Sequence, residues 1–157
     1  MKARITGLVA MTAAVTLTAV AAAGPAATNQ RVQIDMRSKD FAGETFVLTP
    51  LRAGAIGRDS GGTRGCVYES HRTVVRGGQE GHIWECPDWT LVGKHGKLVL
   101  HTRYTWTDAG LYNIATGTWK VVSGTGQYAR ITGAGRSAHV GGDTWIRARY
   151  QGFLVTP

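Results

Sequence analysis

The sequence lacks the apolar spacing that long helices require, because no segment sustains hydrophobic residues at i, i+3, i+4 and i+7. Beyond the N-terminal region it also lacks any apolar run that approaches the roughly 20 residues of a membrane-spanning helix. Glycine, by contrast, is abundant, at 22 residues, and glycine favours tight corners between short elements. These features argue against a helical fold and predict an all-β protein.

Metal-binding motifs are also absent from the sequence. Its histidines form no H-x-H, H-x-x-x-H or H-E-x-x-H spacing, so we expect no metal site and no cofactor. Two pairs of polar residues, Glu69 with His71 and His101 with Arg103, alternate along strand-like segments and leave a ribonuclease-like acid–base function open. The alternative is that these residues form the solvent-facing side of a sheet.

Acidic residues are few, since ten Asp and Glu stand against 18 Lys and Arg, a formal charge of +8. The basic residues are scattered along the chain, and no run of them marks a patch. Positive charge favours contact with anionic polymers outside the cell, such as wall teichoic acids, nucleic acid or lipid headgroups. Solubility explains the charge nearly as well, and nothing in the sequence indicates a specific nucleic acid partner.

Residues 1–23 predict a signal peptide. Lys2 and Arg4 precede an apolar region centred on Leu8 to Val20, and Ala21-Ala22-Ala23 fits an A-x-A cleavage site. The alternative is an N-terminal membrane anchor, but threonines and alanines dilute the run. We therefore expect a secreted mature chain of about 134 residues, without a transmembrane segment and with a formal charge of +6, because cleavage removes two basic residues.

The sequence contains only two cysteines, Cys66 and Cys86. An oxidising compartment and an even count favour a disulfide, and the alternative is a pair of free or catalytic thiols. We place the two cysteines on paired strands of one hairpin, where facing Cβ atoms lie ~4.5–5.5 Å apart. A bridge that closes a loop of about twenty residues contributes ~3 kcal/mol in the chain-entropy model.

The mature chain predicts one domain of seven or eight short strands, which suits a closed barrel or a sandwich. Residues 24–43 predict a flexible lead-in with one weak strand at Val32–Met36, and residues 44–157 predict the barrel domain. Residues 51–65 contain five glycines and predict a long turn. The remaining strands are predicted at 44–49, 66–75, 82–92, 97–104, 117–122 and 144–155, with a further strand after Gly135.

The alternation of apolar and polar residues along two of these segments bears on which face of each strand is buried. Leu98, Leu100, Thr102 and Tyr104 share the more apolar face of their strand and should point inward. In the last strand, Arg147 and Arg149 share a face with Trp145 and Phe153, so either face could be the buried one.

The segment Gly117 to Arg136 predicts a strand, a sharp corner, one helical turn, a second corner and a new strand. Ser123-Gly124-Thr125-Gly126 cannot continue a strand, and Thr125 is placed to cap the turn that follows. Gly133-Ala134-Gly135 should then break the turn.

This glycine corner, Trp119 to Gly135, resembles the G-G-T/S-G-x-F/Y…G-x-G corner of the allene oxide cyclase and dirigent barrel superfamily. Other segments in the same order are similar to that family over roughly residues 45–154. They are Ile56 to Gly62 followed by Cys66, Gly96 to Leu100, and the closing strand that ends Tyr150-Gln151-Gly152.

The resemblance implies an antiparallel up-and-down barrel of about eight strands with an apolar cavity, often assembled as dimers or trimers. We therefore expect a secreted barrel that binds a small apolar or amphipathic molecule inside, with Glu69, His71, Tyr104 and Trp106 as ligand-binding residues. An isomerase or cyclase of the same barrel type is one alternative, although the family's catalytic positions do not match here and catalytic residues stay unassigned. A non-catalytic cationic cell-surface protein that binds an anionic polymer is the other.

Two questions stay open at this level. The five tryptophans either fill the interior or line a ligand cavity, and a surface stacking platform is a further option. A barrel of this size can also be filled by its own side chains, which would leave no pocket.

Overall fold

A computed structural model describes residues 27–39, 43–66, 70–76 and 79–157. The predicted signal peptide and Glu69 lie outside these residues. The regular elements of the described residues are strands and a single 3-10 turn, Gly126–Tyr128, which confirms the all-β prediction. The strands are β1 Thr28–Lys39, β2 Glu44–Pro50, β3 Asp59–Arg64, β4 Ser70–Arg76, β5 Gln79–Gly93, β6 Lys97–Ala109, β7 Tyr112–Gly124, β8 Thr132–Gly142 and β9 Trp145–Thr156.

The nine strands form one antiparallel sheet that closes into a ring. Their order is β3-β2-β1-β9-β8-β7-β6-β5-β4, and β3 also pairs with β5. β3 and β4 occupy successive lengths of the same edge of β5, since Arg64 pairs with Thr90 and Ser70 pairs with Glu85. The ring therefore has eight positions around its circumference, which confirms a barrel-like fold of about eight strands.

Two segments that were expected to be irregular are strands. The predicted weak strand Val32–Met36 is part of β1, but the flexible lead-in predicted around it is wrong over the rest of this twelve-residue strand. Because β1 lies between β2 and β9, the sheet begins before residue 44. β1 alternates Val32, Ile34 and Met36, all buried, with polar residues on the outer face, and that polar content disguised the strand. The predicted long turn 51–65 is likewise wrong over β3.

Of the predicted strand 66–75, β4 is described from Ser70, and Cys66 lies outside any strand. On the neighbouring strand, the pairing of β5 with β6 shifts register between Cys86 and Trp89. Cys66 and Cys86 form the predicted disulfide, with their Cα atoms 5.1 Å apart. The bridge therefore joins the segment between β3 and β4 to β5 at the point where the pairing of β5 with β6 is irregular.

The glycine corner follows the predicted order of β7, one short turn and β8. The predicted cap is wrong, because the Thr125 side chain makes no capping hydrogen bond to the turn. Its hydroxyl instead accepts a 3.1 Å hydrogen bond from the backbone N–H of Lys97, which ties the corner to the start of β6. The prediction that Gly133-Ala134-Gly135 ends the turn is also wrong, because β8 already begins at Thr132 and these residues lie within that strand.

One end of the barrel is filled by its own side chains. Gln30 is buried there and holds the loop after β2, because its Nε2 donates to the carbonyls of Arg52 and Ile56 and its Oε1 accepts from the Ile56 N–H. The two polar groups of Gln30 and the three backbone groups of Arg52 and Ile56 would lose these hydrogen bonds if the loop moved away. The buried side chains at this end include Val32, Ile34, Leu48, Ile56, Leu91, Leu98, Leu100, Tyr128 and Leu154.

The structure also decides which faces of β6 and β9 are buried. Leu98, Leu100 and Thr102 are buried, as predicted for the inner face of β6. On β9 the inner face carries Ala148, Tyr150 and Leu154, while Arg147, Arg149 and Phe153 are exposed on the outer face.

Candidate functional site

A cavity of about 790 Å³ occupies the other end of the barrel. Its walls come from β1, β2, β3, β5, β6, β8 and β9, together with Cys66. This volume lies within the range of small-molecule binding sites, about 300–1,000 Å³. The largest apolar and aromatic lining residues are Met36, Trp84, Trp89, Tyr104, Trp106, Ile146 and Tyr150.

One wall of the cavity is the continuation of the inner face of β6. Thr102, Tyr104 and Trp106 occupy alternate positions of that strand, so all three side chains point to the same side of the sheet. Tyr104 and Trp106 are half-buried, with ring centroids 6.3 Å apart. Both were predicted to bind a ligand from the sequence, and both line the cavity.

The other two predicted ligand-binding residues, Glu69 and His71, lie in the sequence between the two cysteines of the disulfide. Glu69 lies outside the described residues. The backbone of His71 belongs to β4 and pairs with Trp84, a residue that lines the cavity, but the His71 side chain is not described. Their predicted role stays a prediction.

The base of the cavity is formed by two stacked rings. The rings of Trp89 and Tyr150 lie 5.0 Å apart at an interplanar angle of 28°, and both side chains are buried. Trp89 precedes Leu91 of the filled end by two residues, so this pair separates the filled end from the cavity.

His139 lines the cavity, although its sequence context predicted neither a metal site nor a ligand-binding role. Its ring lies between Tyr104 and Tyr150, with centroid distances of 4.9 and 5.2 Å, and its Nε2 is hydrogen-bonded to Ser137 Oγ at 3.1 Å. Burial lowers the pKa of His139 to about 4, so the ring is neutral at neutral pH. The signal that could have found it is the period-two placement of Ser137 and His139 on the inner face of β8.

The tryptophans have divided roles. Trp84, Trp89 and Trp106 line the cavity, whereas Trp119 is buried and does not line it. Trp145 is the first residue of β9. Its ring centroid lies 6.3 Å from that of Tyr112 and 5.7 Å from the Arg147 guanidinium.

His101 and Arg103 lie on the outer face of β6, away from the cavity. His101 Nε2 lies 2.7 Å from Glu85 Oε1, and Arg103 pairs directly with Glu85 across β5 and β6. This arrangement is a polar cluster on the outside of the sheet, as the alternative interpretation of that pair expected.

Within the described segments, no three His, Cys, Asp or Glu side chains gather where they could hold a metal ion. No helix among the described residues has the length and apolarity needed to cross a membrane. No protein-family model, curated protein or solved structure matches this chain.

Proposed function

We propose that this protein is a secreted barrel that binds one small apolar or amphipathic molecule in the cavity. The observation that carries the proposal is the aromatic cavity of about 790 Å³ above the Trp89–Tyr150 base. Aromatic walls around a few polar groups are typical of small-molecule sites.

The lining also indicates the chemistry of the ligand. Trp84, Tyr104 and Trp106 offer ring faces and edges against which a flat or extended apolar body packs well. Thr102 and the neutral His139 are the polar groups buried deepest in the lining, so they suit an uncharged hydroxyl or carbonyl of the ligand. A charged head group would remain by the exposed Arg64 and Asp108, because burying an unpaired charge is costly.

Secretion and family membership are part of the same proposal. The disulfide between Cys66 and Cys86 is typical of chains that mature in an oxidising compartment, and it supports the predicted signal peptide. The ring of about eight antiparallel strands with an internal cavity supports membership of the allene oxide cyclase and dirigent-like barrels.

An isomerase or cyclase is the second candidate, and His139 is the observation that favours it. A titratable ring with a strongly lowered pKa in an aromatic cavity is a typical feature of catalytic sites. When the ring carries its N–H on Nε2 and donates to Ser137 Oγ, Nδ1 is unprotonated and can accept a substrate proton at neutral pH. An enzyme would release its ligand as an isomer with the same mass but a different chromatographic retention, whereas a carrier would return it unchanged.

Native mass spectrometry of the protein purified from culture medium tests the binding function first. We expect an adduct of a small organic molecule that leaves on unfolding. The amphipathic dye 8-anilinonaphthalene-1-sulfonate provides a second test with a defined probe, and we expect saturable binding at one site.

Two variants test whether the dye binds in the cavity. Thr102→Trp adds bulk to the inner face of β6, whereas Thr118→Trp adds the same bulk to the exposed face of β7. We expect the first variant to weaken dye binding and the second to leave it unchanged, with thermal unfolding as the check that both fold. Equal dye binding by the two variants, together with no adduct, would contradict the proposal.

A further inference from the structure

The outer face of four neighbouring strands, β7, β8, β9 and β1, is strongly basic. In the sequence of these strands Asp35 is the one acidic residue, against seven Lys and Arg. Those seven residues are Lys120, Arg136, Arg147, Arg149, Arg31, Arg37 and Lys39.

Four of these side chains follow one diagonal across the strands, and we name them the basic stripe: Lys120, Arg136, Arg149 and Arg37. Lys120 of β7 pairs with Ala134 of β8, two residues before Arg136. Arg136 in turn pairs with Gln151 of β9, two residues after Arg149. Each step therefore crosses one strand and shifts two residues, and such diagonal neighbours lie ~7–8 Å apart.

The last step of the stripe follows the same rule. Arg149 pairs with Asp35 of β1, two residues before Arg37, and Arg37 pairs directly with Arg147. All four side chains of the stripe are exposed. Arg37 and Arg147 therefore repel each other, and this repulsion destabilises the fold locally. An anionic partner bound at this position would relieve it.

Asp35 compensates only part of this charge. Its carboxylate accepts hydrogen bonds from Arg149 Nε at 2.8 Å and from Gln33 Nε2 at 2.7 Å. Burial by itself would raise the pKa of Asp35, but these hydrogen bonds and the nearby Arg37 lower it overall, so the carboxylate is ionised. One carboxylate leaves a net positive charge along the stripe.

We propose that the basic stripe binds an extended phosphodiester polymer through its backbone charges. Guanidinium groups match phosphate oxygens in a two-pronged geometry, and three of the four stripe residues are arginines. A regular spacing of single positive charges complements a chain that repeats single negative charges. This surface is separate from the cavity, so the inference is independent of the proposed function.

The surroundings of the stripe favour the polymer backbone over bases or a membrane. One exposed ring, Phe153, lies beside the stripe, because it pairs with Ala134, two residues before Arg136. A single ring can stack on one base only, and Arg147 already covers the Trp145 ring, so the four cations of the diagonal favour contact with the backbone. The outside of a barrel is also convex, so a flat bilayer meets only part of the diagonal at once. A flexible chain can follow the curve and reach all four side chains.

Fluorescence anisotropy with a labelled abasic oligodeoxynucleotide tests the proposal, because this probe carries phosphodiesters without bases. We expect the plot of log K against log salt concentration to have a slope of about −3, since each phosphate contact of a single strand contributes about −0.7. The stripe variant combines Lys120→Gln, Arg136→Gln, Arg149→Gln and Arg37→Gln. It should bind at least about tenfold more weakly at low salt, with a slope near zero.

The control variant removes the same charge elsewhere. It combines Arg52→Gln, Arg58→Gln, Lys94→Gln and Lys97→Gln, all exposed positions that lie off the stripe. We expect it to keep the wild-type slope. Unfolding midpoints show whether both variants fold. If the fourfold stripe variant does not fold, the single variants Lys120→Gln and Arg136→Gln replace it, and each is expected to change the slope by about 0.7.

Four outcomes would overturn the proposal. Equal loss of binding in both fourfold variants would show that net charge alone is responsible, and unchanged binding in the stripe variant would remove the stripe from any role. Much tighter binding of oligo(dT) than of the abasic chain would indicate base stacking. Binding to phosphatidylglycerol vesicles without binding to the abasic chain would indicate a membrane surface instead.

Discussion

The Tyr128 hydroxyl donates a 2.9 Å hydrogen bond to Asp59 Oδ2, across 69 positions of the sequence. The same carboxylate accepts hydrogen bonds from the backbone N–H groups of Ser60, Lys94 and His95. Burial alone would raise the pKa of Asp59, but these four hydrogen bonds outweigh burial and lower it. One buried carboxylate thus joins the start of β3, the turn between β5 and β6, and the 3-10 turn.

Removing the tyrosine hydroxyl should destabilise the protein. We expect Tyr128→Phe to reduce the free energy of unfolding by about 1.5–3 kcal/mol, because a hydrogen bond to a charged group is lost inside the protein. Asp59→Ala should cost more, since it leaves the Tyr128 hydroxyl and three backbone N–H groups without their acceptor. Urea unfolding measures both, with the exposed Tyr112→Phe as the control. A Tyr128→Phe variant as stable as that control would contradict the expectation.

His139 should make stability fall in mild acid. Its folded pKa of about 4 lies below the value of about 6.5 expected in the unfolded chain, so the unfolded state takes up a proton first as the pH falls. Stability should therefore decrease from about pH 6.5 to about pH 4, by roughly 3 kcal/mol, and this contribution should level off below pH 4.

Urea unfolding at several pH values checks this dependence. We expect His139→Gln to be nearly insensitive to pH across that window, because no histidine is left buried at this position. The exposed His95→Gln should retain the wild-type dependence. If His139→Gln behaved like wild type, the acid sensitivity would have to arise elsewhere.

Gly135 and Gly152 make room for the Trp119 ring. They pair directly across β8 and β9, and a Cβ atom on either glycine would lie 2.1 Å from a backbone carbonyl oxygen of the neighbouring strand and 2.6 or 2.7 Å from the nearest atom of the indole. Alanine at either position should therefore destabilise the protein by about 1–3 kcal/mol through overpacking. Gly62→Ala is the matched control, because a Cβ there would lie 3.6 Å from its nearest neighbour. Thermal unfolding that ranks all three alike would disprove this role.

The disulfide should matter most for β4. This strand stands at the end of the strand order and, among the described strands, pairs with β5 alone. The double variant Cys66→Ala/Cys86→Ala should lose about 3 kcal/mol of stability and show faster amide exchange in β4 than in β6 or β7. Hydrogen exchange read by mass spectrometry measures this, and a uniform increase over all strands would argue against a local role.

Much of the strand pattern could be predicted from local chemistry. Alternation on β6, the order of strand, turn and strand at the glycine corner, and the pairing of the two cysteines were confirmed, whereas the Thr125 cap and the placement of Cys66 on a strand were wrong. β1 was predicted only in part, as a weak strand at Val32–Met36, and β3 was missed, because polar outer residues and glycines hide a strand whose pairing partners supply its stability.

The candidate sites depended on more distant neighbours. Alternation placed Tyr104 and Trp106 toward the interior, but only the ring of strands brings His139 between Tyr104 and Tyr150. Register likewise aligns Lys120, Arg136, Arg149 and Arg37, which are scattered in the sequence.

The sequence by itself thus determined the all-β class, the disulfide partners and the inward face of β6. The tertiary structure alone decided that one end is filled while the other is a cavity, which face of β9 is buried, and where the basic residues meet. The physical reason is that side-chain alternation and turn geometry act between near neighbours, whereas strand register and barrel closure bring together residues more than a hundred positions apart.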